Sequence, residues 1–91
     1  MVYADHVDWD EPDDPRGNVQ HIARNGITVE EFEEILFGPD SEDDVSRSSD
    51  RPARYGRTST GRLVFIVYEV EESPEFTVIR PVTAYAPEED R

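Results

Sequence analysis

The chain has 91 residues and a hydrophobic content of 35%, enough for one small domain with a modest core. The absence of cysteine excludes disulfides and cysteine-based metal sites. Twenty-two acids against nine bases give a formal charge of −13, so the average surface repels nucleic acid and membranes. All nine bases are arginine. Acidity without lysine suits a salt-rich habitat, where surface charge is screened, or a basic partner. The longest apolar run falls far short of a membrane span, and the opening MVYADHVDWD is too acidic for a signal peptide. The expectation is a cytoplasmic protein with a single domain over residues 1–91.

Rough alternation of Val2, Ala4, Val7 and Trp9 predicts a first strand over residues 3–9, ended by Asp10-Glu11-Pro12. Six acids crowd the stretch from Asp5 to Asp14. They read as a solvated loop, since the spacing of a calcium loop is missing. Asp14-Pro15 is a helix start, with Asp as N-cap and Pro in the first turn. Val19, Ile22 and Ala23 form a narrow apolar face, and Gly26 is a natural end. His21, Arg24 and Asn25 share the opposite side. They are either a solvated face or a donor, a cation and an amide for one ligand. Thr28 and Glu31 have the spacing of a capping box for a second helix ending near Phe37. Its buried stripe is Val29, Phe32, Ile35 and Leu36, and Gly38-Pro39 stops it.

Residues 40–52 are polar and read as a loop with a short edge strand around Val45. The stretch 54–70, RYGRTSTGRLVFIVYEV, organises the rest. Its run Leu63-Val64-Phe65-Ile66-Val67-Tyr68 is β-branched and aromatic, which predicts a central strand. Ser59-Thr60-Gly61 is a turn, so residues 54–58 form the preceding strand of a hairpin whose Arg54 and Arg57 are open to ligand. Between Arg47 and Arg62 five arginines face a single acid, Asp50, for a local charge of +4. These arginines either pair with the surplus carboxylates or build a local anion site. A turn over residues 71–75 leads to a last strand over 76–85, antiparallel to the central one, in which Pro81 marks a sheet edge or a bulge.

Four segments in order carry a family resemblance. They are Asp8-Trp9-Asp10-Glu11; residues 18–39, NVQHIARNGITVEEFEEILFGP; Arg54-Tyr55-Gly56-Arg57-Thr58 followed by Gly61-Arg62-Leu63-Val64; and residues 78–85, VIRPVTAY. Together they resemble the BrnT family of bacterial toxins, small ribonucleases with a RelE-like fold. The resemblance implies an α+β domain in the order β-α-α-β-β-β. An N-terminal strand and a two-helix unit would precede a three- to four-stranded antiparallel sheet, with the C-terminal helix truncated. It implies a toxin–antitoxin system in which this chain is a metal-independent endoribonuclease acting on mRNA, free or on the ribosome. A small DNA-binding antitoxin would be its partner, and no cofactor would be needed. Carried over by position, the family's basic site residues fall on Arg24, Arg54 and Arg80. Two family residues are replaced, a histidine by Asn25 and an arginine by Tyr85. His21, one turn earlier, is placed to take over from the lost histidine.

Metal-free RNA cleavage needs a proton acceptor for the 2′-hydroxyl, a proton donor for the leaving oxygen, and cations on the phosphorane. Arg24, Arg54 and Arg80 suit the last role and His21 the proton transfers. Glu30 and Glu31 are further proton carriers, Glu31 being the one committed to a cap. Tyr85 can donate a proton or stack on a base. Internal salt bridges are the alternative for Arg54 and Arg80. The alternative for the whole chain is a catalytically degenerate relative that survives as an interaction module for a basic partner. Trp9 reads as a packing residue, and His6 has no clear role.

Overall fold

A computed structural model describes residues 4–46 and 49–87. The elements are β1 (His6–Val7), α1 (Asn18–Arg24), α2 (Val29–Phe37), β2 (Glu42–Val45), β3 (Pro52–Arg57), β4 (Leu63–Glu72) and β5 (Thr77–Tyr85). This is an α+β architecture with one five-stranded sheet in the order β1-β5-β4-β3-β2. Strands β2 to β5 are antiparallel to their neighbours, whereas β1 joins β5 in parallel. The sheet is therefore mixed: β2 to β5 are four antiparallel strands, within the three to four expected, and the N-terminal strand β1 is added to them in parallel. Residues 88–91, on which most of the expected truncated C-terminal helix falls, lie outside the described residues, as do Arg47 and the start of the expected first strand.

The helices cover one face of the sheet. Phe32, Ile35 and Leu36 of α2 are fully buried against Val64 and Ile66 of β4, with Ile22, Ile27, Tyr68, Ile79 and Ala84 completing the core. Each fully buried Ile, Leu or Phe contributes about 1.5–3 kcal/mol. At seven and nine residues, neither helix is long enough to persist without this packing. Trp9 packs edge-on against Phe32, with ring centroids 5.1 Å apart, and its indole donates to Glu33. None of the described helices is long and apolar enough to cross a membrane.

Local chemistry sets the helix ends. Thr28 and Glu31 form the expected capping box. The end of α1 is a Schellman motif: Gly26 N–H donates to Ala23 and Ile27 N–H to Ile22, with Gly26 at φ +80°. The start of α1 differs from expectation. Asp14-Pro15 lies in the preceding turns, and the helix begins three residues later than expected, with Gly17 as N-cap. The cap comes from a distant residue: the Asp10 carboxylate accepts from Asn18 N–H at 2.8 Å, and Asn18 Oδ1 accepts from Asp10 N–H at 2.9 Å. A Cβ on residue 17 would lie 2.6 Å from that of Asp10, so only glycine admits this contact.

Arg54 is the main correction to the sequence reading. It stands opposite Ile66 in the β3–β4 register, which turns its side chain to the covered face. There it is 1% exposed. Its guanidinium donates to the carbonyls of Ile35, Gly38 and Ser41 and to the Asp43 carboxylate. Three of these four acceptors are backbone oxygens at and just beyond the C-terminal end of α2, where helix carbonyls lack internal donors. Arg54 is thus a buried pin between helix and sheet and is not open to ligand.

Arg54→Ala should lower folding stability by about 3 kcal/mol, because three carbonyls each lose a charged donor at once. Asp43→Asn should cost less than about 1 kcal/mol, because that carboxylate is 75% exposed. Urea denaturation of both variants measures the difference.

Candidate functional site at the edge of β5

The free edge of β5 positions the site. Strand β1 pairs only with Val78 and Ile79, and its last bond on this edge runs from Asp8 N–H to Ile79 O. Beyond that point the carbonyls of β5 need other donors. Helix α1 supplies them: Asn18 Nδ2 donates to Pro81 O at 3.1 Å and Asn25 Nδ2 to Ala84 O at 2.9 Å. The spacing matches, since seven helical residues rise about 10.5 Å and three strand residues about 10 Å. The β4–β5 register slips at Val67/Tyr68: Val67 faces Thr83 and Tyr68 faces Pro81, so Val82 is the extra residue of a bulge. The extra residue brings the Pro81 and Ala84 carbonyls to the same edge. Because a strand residue's N–H and C=O share an edge, the N–H that Pro81 lacks falls where no strand requires it.

His21 lies between the two asparagines on α1, and its Nε2 is 3.0 Å from Thr83 Oγ1. The polar side of α1 is therefore neither purely solvated nor purely a ligand site. Asn25 is committed to the sheet edge, and so is Asn18, which also donates to Asp8 O. Arg24 turns away to the Pro15 carbonyl.

Arg80 points from β5 back to the N-terminal segment. Its two terminal nitrogens lie 3.1 and 3.2 Å from the Asp10 oxygens, and a longer contact reaches the Asp8 carboxylate. The hydrogen bond from Arg80 holds the Asp10 carboxyl below its usual range, helped by the Asn18 amide. The hydrogen bond to Asp10 raises Arg80 in turn. Opposite Arg80 in the register stands Glu69, which pairs with Arg51 at 3.2 Å.

Of the five candidate site residues, His21 and Arg80 come together, lining one shallow depression of about 280 Å³ with Arg16, Arg51, Asp10 and Glu69. Arg24 and Arg54 do not line it, and Tyr85 lines a different groove. Arg16 and Arg51 had no individual role in the sequence reading. Arg51 is brought in by its pairing with Glu69 across the strand register, whereas Arg16 precedes α1 and no sequence signal singles it out. Among the described residues no three acidic or histidine side chains converge as metal ligands do. Chemically, the depression offers three guanidinium groups, an imidazole and two carboxylates, a set suited to binding a phosphate and moving a proton.

Comparison of the chain with protein families, with curated proteins and with solved structures gives no match.

The depressed Asp10 sets a pH dependence. A carboxyl lowered in the folded state stabilises the fold above its unfolded value, near 3.8, and loses that contribution as pH falls through the folded value. Asp10→Asn should therefore reduce stability at neutral pH, and the gap between variant and wild type should close below pH 3.8. Thermal unfolding of both proteins across acid pH checks the sign.

Proposed function

We propose that the chain is a BrnT-like toxin with a RelE-like topology, a metal-independent endoribonuclease acting on mRNA and held silent by a small DNA-binding antitoxin. The observation that supports this reading is the meeting of His21 and Arg80, from a helix and a strand far apart in sequence, in one depression. In this reading the phosphate of the scissile bond lies between Arg80 and Arg51. Its binding displaces Asp10 and Glu69, because both carboxylates compete for the same guanidinium groups. The 2′-hydroxyl attacks phosphorus, and the bond to the 5′-oxygen breaks. His21 and the released Glu69 divide the two proton transfers, and the arginines carry the charge on the phosphorane. Arg54 contributes only by holding the scaffold.

One observation favours a second reading. Arg80 and Arg51 are already neutralised by Asp10 and Glu69 in a protein of charge −13, which suits an interaction module that no longer cuts RNA.

Incubation of purified protein with end-labelled mRNA in EDTA separates the two. Cleavage leaving 2′,3′-cyclic phosphate ends is expected, falling at least about a hundredfold in Arg80→Ala and in His21→Ala. Circular dichroism should be unchanged in both variants. Full activity in Arg80→Ala would overturn the assignment, and an inert wild type that leaves growth unaffected on expression would favour the module.

A further inference from the structure

Three aromatic rings cross the face of the sheet that the helices leave open. Val64, Ile66 and Tyr68 of β4 point into the core, so Phe65, Val67 and Glu69 point the other way. Tyr55 of β3 and Tyr85 of β5 both stand opposite Phe65. The Tyr55 and Phe65 rings are stacked 6.2 Å apart at 5°, and Phe65 and Tyr85 lie 5.3 Å apart at 32°. Beside this row runs a groove of about 330 Å³. Phe65 and Val67 form its floor, Asp44 and Val45 one side, and Thr83 and Tyr85 the other. Val45 is 54% exposed and Tyr85 38% exposed, so large apolar surfaces flank the groove.

The charges around the row select what can lie on it. Glu42 and Asp44 alternate along β2, opposite Tyr55 and Ala53, and so share the open face. The Tyr55 hydroxyl donates to Glu42, which lifts the Tyr55 pKa above the usual phenol range. Among the described bases nearby, Arg51 is neutralised by Glu69, and Arg57 donates to the Gly61 carbonyl at the far end of β3. A nucleic-acid strand on this face would bring its phosphates against Asp44 and Glu42. A cation over the ring faces is attracted by their quadrupoles, and the carboxylates complete its coordination.

We propose that the open-face groove docks a positively charged segment of a partner protein, with an arginine or lysine side chain laid over Phe65 and Tyr85 and met by Asp44. This groove shares no lining residue with the His21–Arg80 depression, although the two adjoin at the Thr83–His21 contact, and its occupation does not depend on whether the chain cuts RNA.

Calorimetric titration of the full chain with a short peptide alternating arginine and serine tests the site. Its glutamate–serine counterpart and a uridine oligonucleotide serve as the other arms. The arginine peptide is expected to bind, and the glutamate peptide is not. Affinity should fall about tenfold in Tyr85→Ala and about threefold in Asp44→Asn. Glu75→Gln, which removes the same charge in the exposed β4–β5 turn, should leave it unchanged. Circular dichroism of each variant confirms that the fold persists. Three results would overturn the proposal: no binding of the arginine peptide, equal losses in Asp44→Asn and Glu75→Gln, or displacement of the peptide from the rings by the oligonucleotide.

Discussion

Among the described residues no strand lies beside the outer edge of β5 beyond Ile79, and the placement of α1 answers that constraint. Two asparagines, two helical turns apart, supply the donors that a longer β1 would have supplied. The match works only because the bulge at Val82 turns the Pro81 and Ala84 carbonyls to the same side. Asn18 carries a double load. It closes the sheet edge and receives the Asp10 carboxylate that starts the helix. Asp10 in turn engages Arg80, which tethers the N-terminal acidic segment to the same strand. The edge of β5, the start of α1 and the place of Arg80 are therefore one connected hydrogen-bonded unit, and His21 sits in the middle of it.

The helix–sheet seam is pinned at its other end by Arg54. A buried guanidinium is costly unless its donors are used, and here they serve carbonyls at the end of α2 whose backbone bonds, from Gly38 N–H to Ile35 O and from Ser41 N–H to Gly38 O, are long at 3.4 and 3.2 Å. Such an arginine contributes to where α2 ends and how β2 approaches β3. The two polar fixtures, at Asn18 and at Arg54, flank a core made of short, otherwise unstable elements. They also explain why some of the chain's charge is inside the fold and cannot act on a ligand.

What could be read from the sequence follows from how local each signal is. The capping box at Thr28 and Glu31, the stripe of α2, the apolar run of β4 and the glycine end of α1 depend on neighbours within a turn or two, and all stand in the structure. Pro81 signals a sheet edge or a bulge by the same local logic, and the bulge falls beside it at Val82. The start of α1 was not, because its cap comes from Asp10 through a contact across a loop. Nor was the parallel pairing of β1 with β5, which joins the two ends of the chain. The misplacement of Arg54 is a question of phase. In PARYGR either set of alternate residues can face inward, and only pairing with Ile66 decides it. His21 and Arg80 were individually visible, whereas their meeting depends on α1 lying along the edge of β5.

The proposed site on His21 and Arg80 is open to a measurement that needs no turnover. Side-chain NMR of the wild-type protein can follow the His21 ring and the Arg80 Nε–H signal during titration with a short RNA made uncleavable by 2′-O-methylation. If the depression binds the scissile phosphate, both signals shift together along one saturating curve while Arg54 stays still. Shifts confined to other surfaces, or none at RNA concentrations that support cleavage, would contradict it.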